Sequence, residues 1–200
     1  MDNICASLHN SVQPQKSLSV ISEFDQLRWF VMRDLKRHNA KLPAYKMLGD
    51  MNIKVFTPMV WKLRVRQGKR EPQEVPFMQD LLFVHDSRRV LDPIVEMVGT
   101  LQYRYMRGGN HIPMTVKDDD MDRFIQAVEA TKTPCFYTPA KITPAMLGKQ
   151  VRIIGGPLDG YEGRLQKLQG SRVKRLFVEL PGVLTAAVEV QPEFIQVVRW

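Results

Sequence analysis

The sequence predicts an α+β chain, with an N-terminal sandwich of antiparallel strands and flanking helices followed by a small all-strand barrel. Apolar patterns typical of strands and of helices alternate between residues 25 and 130. A stretch with Pro134, Pro139 and Pro144 and no apolar period follows. Beyond it, short β-prone runs are separated by turns that contain glycine and proline. We therefore predict a flexible tail (1–24), an N-terminal domain (25–130), a linker (131–147) and a C-terminal domain (148–200).

The N-terminal domain begins with a mostly apolar, β-prone segment at Arg28–Arg33, which predicts a buried strand. Leu42–Met51 predicts a helix, because apolar residues recur at helical spacing after Pro43. Later elements are predicted from the same patterns. They are extended segments at Ile53–Pro58 and Val60–Arg66, a turn at Gln67–Arg70, strands at Leu81–Val84 and Leu101–Met106, a helix from the N-cap Asp92 to Val98, and a last helix whose start is marked by Thr115 and Asp118.

The C-terminal domain shows a different pattern of short extended runs. Five strands in about fifty residues imply a small barrel, which closes its own edges. The predicted strands are Val151–Ile154, Arg164–Leu168, Val173–Leu180, Thr185–Val190 and Ile195–Val198.

Positive charge is concentrated in one early segment. The net charge is +8, and residues 28–70 contain twelve Lys or Arg residues but only two acids, Asp34 and Asp50. A polyanion would be attracted to such a segment, and salt would weaken the attraction. An ordinary solvated surface explains the charge equally well, so charge alone does not name a partner.

The composition predicts a cytoplasmic protein that carries out no catalysis. Cys5 and Cys135 cannot build a disulfide framework, and no apolar stretch reaches the roughly 20 residues that span a bilayer. The N-terminus has no signal-peptide pattern. Histidines are scattered, and Asp118-Asp119-Asp120 complement a helix dipole better than they predict a magnesium site. We therefore expect neither a metal nor a cofactor.

The most specific pattern lies at the start of the C-terminal domain. Residues 151–165 have the pattern of a strand, a tight turn and a second strand, in which glycines supply positive-φ positions and proline fixes one φ. The spacing resembles the KOW motif, a hydrophobic strand followed by G-P-x-x-G-x-x-G. The matching residues are Gly156, Pro157, Gly160 and Gly163. The resemblance implies that the barrel is an SH3-like KOW domain.

Upstream, the chain resembles the N-terminal domain of NusG-like transcription elongation factors. Trp29-Phe30-Val31 is similar to the first strand of that family, and Phe56–Met59 with Arg66–Arg70 is similar to its second strand and basic hairpin. Residues 76–84 stand where the family has P-L-F-P-G-Y-x-F-V, and Ile112-Pro113-Met114 precedes the last helix as it does there. The resemblance covers residues 28–198, nearly all of the chain beyond the predicted tail.

The chain departs from that signature at Met78-Gln79-Asp80-Leu81, where the family has F-P-G-Y. In the family, this segment helps to form an apolar pocket that grips the clamp helices of RNA polymerase. Met is adaptable enough to replace an aromatic ring, whereas Asp80 in place of Gly predicts a reshaped pocket or a different clamp surface. Within the family, the chain looks similar to antiterminators of surface-polysaccharide operons, the RfaH and UpxY groups, which implies an operon-specific factor.

The resemblance implies a polymerase contact made by Trp29, Met78, Leu81 and Phe83. Alternation places Leu81 and Phe83 on one face of a strand, opposite Leu82. We expect one face of the sheet to pack on helices and the other to stay partly exposed as the polymerase contact. Burial in an ordinary core is the other interpretation of each residue taken alone.

The basic hairpin supplies the candidate nucleic-acid contacts. Lys62, Arg64 and Arg66 alternate along one predicted strand and should share a face, next to Lys69 and Arg70. Such a row of cations favours contact with a nucleic-acid backbone over a random charged surface.

The resemblance implies a function without chemistry. The N-terminal domain would bridge the polymerase cleft, keep the clamp closed and suppress pausing, with the hairpin against upstream DNA or RNA. The KOW domain of a monomeric factor would recruit a ribosomal protein, the Rho factor or RNA. The alternative is an RNA-binding or ribosome-associated KOW protein without polymerase contact, which requires only the barrel and the charge.

Overall fold

The computed structural model describes residues 23–36, 41–66, 68–167, 170 and 173–198, with only the backbone at Arg66. The predicted tail therefore lies outside the described residues, except for Glu23 and Phe24 in a short 3-10 turn. The helices are α1 (Ala44–Asp50), α2 (Arg88–Met97) and α3 (Asp118–Glu129). The strands before α3 are β1 (Arg28–Asp34), β2 (Lys54–Phe56), β3 (Met59–Arg66), β4 (Lys69–Pro76), β5 (Leu82–Asp86), β6 (Leu101–Tyr103) and β7 (Thr115–Val116). Those after it are β8 (Cys135–Tyr137), β9 (Leu147–Ile153), β10 (Glu162–Gln166), β11 (Lys174–Leu180), β12 (Leu184–Val190) and β13 (Ile195–Val197).

A central antiparallel sheet organises the N-terminal half and confirms the predicted α+β class. Its strand order is β2-β5-β1-β6, and β7 also pairs with β1. Because side chains alternate along a strand, Trp29 and Phe83 lie with α3 on one face, whereas Phe30 and Leu82 lie on the face that packs on α1 and α2. Helices therefore cover both faces. The expectation of a partly exposed face on this sheet is wrong.

The carboxylate of Asp34 holds the start of α1 against the end of β1. It accepts hydrogen bonds from the backbone N–H groups of Ala44, at 2.6 Å, and Lys36, at 2.9 Å. A carboxylate at a helix N-terminus satisfies an unpaired donor and complements the helix dipole. This bond turns the buried face of α1, with Ala44 and Leu48, toward the sheet.

The predicted start of α2 is wrong, and that of α3 is confirmed at Asp118 but not at Thr115. α2 begins at Arg88 after Ser87, so Asp92 is not its N-cap and Pro93 lies inside it. Asp92 instead forms an ion pair with the Arg88 guanidinium at 2.9 Å, within α2, and accepts a hydrogen bond from the Tyr103 hydroxyl at 2.8 Å. The second bond connects α2 to β6. Thr115 belongs to β7 rather than to the start of α3, because its strand pairs with β1. No helix in the described part of the chain is long and apolar enough to cross a membrane.

Strands β3 and β4 form a separate two-stranded hairpin next to the central sheet. Its register runs from Met59 opposite Pro76 to Arg66 opposite Lys69. β3 was predicted, but β4 was not, because its sequence of charged residues and two prolines has none of the apolar alternation that predicts a strand. Pairing with β3 therefore holds β4 in an extended conformation, although its sequence lacks the apolar alternation of a strand.

All five predicted C-terminal strands are present as β9 to β13, and a sixth joins them. The order is β13-β9-β10-β11-β12-β8, so β8, from the predicted linker, is a terminal strand of this sheet. Helix α3 packs against β11 and β12, and its Phe124 belongs to the same buried cluster as Leu176 and Val188. The two halves of the chain thus share an apolar core, and their division into independent domains stays a prediction.

Candidate functional site

The two faces of the β3–β4 hairpin differ sharply in chemistry. Trp61, Leu63 and Val65 lie on one face and are 62%, 69% and 70% exposed. Their cross-strand partners on that face are Glu74, Pro72 and Arg70. The lack of cover over this apolar row within the described residues was not predictable from the sequence, because alternation shows which residues share a face but not what packs against that face.

The opposite face of the hairpin is cationic. It carries Lys62 opposite Gln73 and Arg64 opposite Glu71, and alternation along β4 adds Lys69. Lys62 and Lys69 are exposed. The prediction that Lys62 and Arg64 share a face is confirmed, whereas the side chain of Arg66 lies outside the described residues. Arg70 is on the apolar face, so the five predicted cations do not form one surface.

Three of the four predicted polymerase residues are core residues in this structure. Trp29 and Leu81 are 1% exposed and Phe83 is fully buried. The Trp29 ring lies 5.1 Å from the His85 ring, between centroids, and the Lys54 ammonium lies 5.0 Å from the Trp29 centroid. Only Met78 is partly accessible. Of these four residues, Met78 is therefore the one that can contact a partner directly in this conformation.

Side chains hold the segment at residues 77–81 in place and account for its departure from the family signature. One carboxylate oxygen of Asp80 lies 3.1 Å from the Arg104 guanidinium and 3.6 Å from that of Arg33. Arg104 also donates to the Asp80 carbonyl oxygen at 3.1 Å, and the Gln79 side chain donates to the Lys36 carbonyl at 2.6 Å. The negative charge that Asp80 introduces in place of Gly is therefore paired with two arginines, Arg33 and Arg104.

The predicted KOW residues form a tight turn between β9 and β10. Gly156 and Gly160 have φ values of 71° and 78°, which favour glycine. Gly163 is required for another reason, since a Cβ there would lie 2.7 Å from the Phe177 carbonyl oxygen of the neighbouring strand. Pro157 is exposed in the turn. The pattern thus reflects turn conformation at two glycines and close strand packing at the third.

Tyr161 lies inside the same motif and joins it to α3. Its hydroxyl donates to the Arg123 carbonyl oxygen at 2.9 Å and lies 2.9 Å from Oε1 of Gln126. The Arg123 guanidinium is 5.0 Å from the ring centroid. Burial raises the pKa of the Tyr161 phenol, against a smaller opposing effect of the arginine charge. This contact was not predicted, because no local pattern shows which distant helix a tyrosine contacts.

Among the residues that the structure describes, no group of three His, Cys, Asp or Glu side chains is placed to hold a metal ion. Residues 27–125, which span β1 through most of α3, match the family model described as transcription termination factor NusG. This chain is a NusG-like factor.

NusG-like factors regulate transcription elongation and antitermination and are not enzymes, and the same coarse statements hold for this chain. A solved structure, reported as a domain interaction in Thermotoga maritima NusG, aligns with 17% identity and a TM-score of 0.44. That alignment covers 87% of this chain and 98% of the Thermotoga chain. No curated protein matches the sequence. The KOW residues lie outside the matched segment. Their resemblance to the KOW motif therefore depends on their own spacing and geometry.

Proposed function

We propose that this chain binds RNA polymerase through its N-terminal domain and acts on transcription elongation. The family match carries this proposal, because it covers the central sheet, the segment at residues 77–81 and most of α3. The match also favours this function over an RNA-binding or ribosome-associated KOW protein, which would leave the N-terminal half unexplained. A cytoplasmic location follows from the same proposal.

The burial pattern narrows the proposed polymerase contact to Met78 and its immediate surroundings. Met78 and Phe77 are both half-buried and pack on the cluster that contains Trp29 and Phe83. A flexible thioether can fit an irregular apolar surface. In this proposal, Trp29, Leu81 and Phe83 support the contact from beneath by packing, and Met78 meets the polymerase.

Met78→Asp tests the polymerase contact. A charge placed in an apolar interface loses burial and gains a desolvation cost, so we expect affinity for the isolated polymerase clamp segment to fall at least about tenfold. Met97→Asp is the matched control, because Met97 is 79% exposed at the end of α2 and packs on neither cluster. Affinity would be measured by titration calorimetry, with circular dichroism to show that both variants fold.

Equal clamp affinities for the Met78→Asp variant and the wild type would refute the contact. Leu81→Asp and Phe83→Asp are less useful variants, because both side chains are buried and a charge there would unfold the domain.

We also propose that the cationic face of the hairpin contacts the nucleic-acid backbone upstream of the polymerase. The exposed Lys62 and Lys69 share that face, and neither is in an ion pair within the described residues. Phosphate contacts release counterions, so the logarithm of affinity should fall linearly with the logarithm of salt concentration. Binding that depends on bases would behave differently, by losing discrimination instead.

The double variant Lys62→Ala, Lys69→Ala tests this surface against Arg70→Ala on the other face. We expect the double variant to flatten the salt slope for upstream-fork DNA by about two units, roughly 0.9 per lost phosphate contact. Arg70→Ala should leave the slope nearly unchanged. Fluorescence anisotropy over a salt series, with and without polymerase, measures both. Equal salt slopes for the wild type and the double variant would refute the proposal, because they would show that the cationic face is solvated and makes no phosphate contact.

We propose that the KOW domain recruits a second partner, such as a ribosomal protein, the Rho factor or RNA.

The departure from the family signature at residues 78–81, where Asp80 is held by two arginines, supports an operon-specific factor of the RfaH or UpxY type. Position of the gene at the head of a surface-polysaccharide operon would favour that specialisation, and a solitary gene would argue against it.

A further inference from the structure

A cavity of about 450 Å³ lies where the base of the hairpin, the end of α3 and the C-terminal sheet come together. β3 contributes Val60 and Trp61 to its lining, β8 contributes Cys135, and β11 contributes Arg175. Small-molecule sites in proteins commonly have volumes of this order. The contacts proposed above with polymerase and with nucleic acid leave this cavity unused.

The wall of the cavity at Cys135 is held in place from both halves of the chain. Cys135 pairs with Ala187 in the C-terminal sheet. The next residue, Phe136, is buried in the core, and its ring centroid lies 5.4 Å from that of Phe77. Because successive side chains of a strand point to opposite faces, the buried Phe136 directs the Cys135 side chain away from that core. This side of the cavity is therefore preformed.

Two hydrogen-bond donors of the lining residues have no partner. Four buried side-chain polar atoms are unpartnered within the described residues, and Oγ1 of Thr57 and Nε of Arg175 are two of them. Arg175 also forms no ion pair within that part of the chain. A buried polar group without a partner costs free energy. The occurrence of two such donors around one cavity favours a ligand that accepts hydrogen bonds there.

The apolar lining narrows the shape of such a ligand. Phe56, Val60 and Trp61 supply aromatic and aliphatic surface on the side of the hairpin. Pockets with an apolar wall and a few converging polar groups orient a ligand by its polar end. A flat apolar body with one hydrogen-bond-accepting end fits this lining.

The charges around the cavity narrow its chemistry further. A guanidinium such as that of Arg175 donates two parallel N–H groups to a carboxylate or a phosphate. The exposed lining residues include Lys132 but also Glu74 and Glu129. Since these two acids outnumber the lysine, they repel a dianion more strongly than a monoanion. The balance of charge therefore favours a carboxylate over a phosphate monoester.

We propose that this cavity binds a small aromatic carboxylate. Its carboxylate oxygens accept hydrogen bonds from Arg175 and Thr57, and its ring packs on Phe56 and Trp61. Arg175 is half-buried as a residue, although its Nε is enclosed, so rotation about its side-chain torsions brings the guanidinium fork to the ligand. This site goes beyond the function proposed above and does not depend on it.

Titration of the full chain with benzoate, followed by heteronuclear NMR, tests the site. We expect the backbone amides of Thr57, Cys135 and Arg175 to shift together, with a dissociation constant of about 1 mM for so small a probe. Three further probes define the chemistry. Acetate lacks the ring, benzyl alcohol lacks the charge, and phenyl phosphate carries a second charge, so each should bind more weakly than benzoate.

Two variants separate ligand binding from a structural role. Arg175→Gln removes the charge and the fork, and we expect benzoate affinity to fall at least about tenfold. Lys174→Gln is the matched control, because Lys174 is an exposed neighbour on β11 that does not line the cavity. Thr57→Val should lower the affinity about three- to tenfold. It should leave the free protein at least as stable as the wild type in urea denaturation, since the Thr57 hydroxyl has no partner to lose.

Equal benzoate affinities for the wild type and the folded Arg175→Gln variant would overturn the site. Benzyl alcohol that binds as tightly as benzoate would do the same, and tighter binding of phenyl phosphate would overturn the assignment to a carboxylate. If Arg175→Gln does not fold, unchanged affinity in Thr57→Val refutes the proposal. None of these measurements involves polymerase, so failure of this site is distinguishable from failure of the contact at Met78.

Discussion

The central sheet and the β3–β4 hairpin place similar apolar side chains in opposite environments. In the sheet, Trp29 and Phe83 are at most 1% exposed, and helices pack on both faces. In the hairpin, Trp61 is 62% exposed and Leu63 is 69% exposed. Both regions are antiparallel, and both alternate regularly along the strand. The difference is that α1, α2 and α3 cover the sheet, whereas none of the helices in the described part of the chain buries the apolar face of the hairpin.

That contrast shows what each region contributes. A sheet buried on both faces is a rigid scaffold, since closely packed side chains tolerate little displacement. A two-stranded hairpin of this kind owes little of its stability to a core, and its side chains remain accessible to other molecules. Trp61, Leu63 and Val65 form a row of exposed apolar side chains, a feature typical of contact surfaces. The scaffold thus fixes the position of a hairpin whose two faces differ in charge.

Large-to-small substitutions should separate the two regions most strongly. Phe83→Ala leaves a cavity in the buried cluster, so we expect the free energy of unfolding to fall by about 3–5 kcal/mol. Leu63→Ala on the hairpin should change it by less than about 0.5 kcal/mol, because its side chain is already in water. Urea denaturation followed by circular dichroism measures both changes. A loss above 2 kcal/mol for Leu63→Ala, on the order of a core substitution, would mean that this face is covered in solution.

Tryptophan fluorescence tests the same contrast through the solvent accessibility of each ring rather than through stability. In a Trp200→Phe background, Trp61→Phe leaves Trp29 as the emitter, and burial should make its emission blue-shifted and resistant to iodide. Trp29→Phe leaves Trp61, whose exposed ring should be quenched several-fold more efficiently. Stern–Volmer slopes for the two variants measure the difference. Similar slopes would contradict the unequal exposure of the two rings.

Much of this organisation was predictable from local patterns. The strand at Arg28–Asp34, helix α3 and the five strands β9 to β13 follow from apolar periodicity. The KOW glycines follow from their spacing, because Gly156 needs a positive φ and Gly163 a close approach, and both requirements are local or nearly so. The signature at residues 76–84 and the basic hairpin identified the family from the order of short motifs.

The candidate site was less predictable, because its residues depend on what packs above them. Trp29, Leu81 and Phe83 were correctly grouped but incorrectly expected to be exposed. Tyr161 and Phe136 were missed, since their partners Arg123 and Phe77 are distant in sequence. β4 was missed because the pairing of β3 imposes its extended conformation. In each case the deciding neighbour lies far along the chain.

The sequence by itself determined the α+β class, the alternation of faces, the segment of positive charge and the turn of the KOW motif. These features depend on the intrinsic preferences of residues and on spacings of a few positions, which a linear pattern records. Only the tertiary structure decided which apolar face is core and which is surface, that Asp80 is neutralised by Arg33 and Arg104, and that a short strand of the predicted linker joins both halves. Those outcomes depend on contacts between distant segments, because burial and charge pairing are properties of the assembled fold and not of any one stretch of chain.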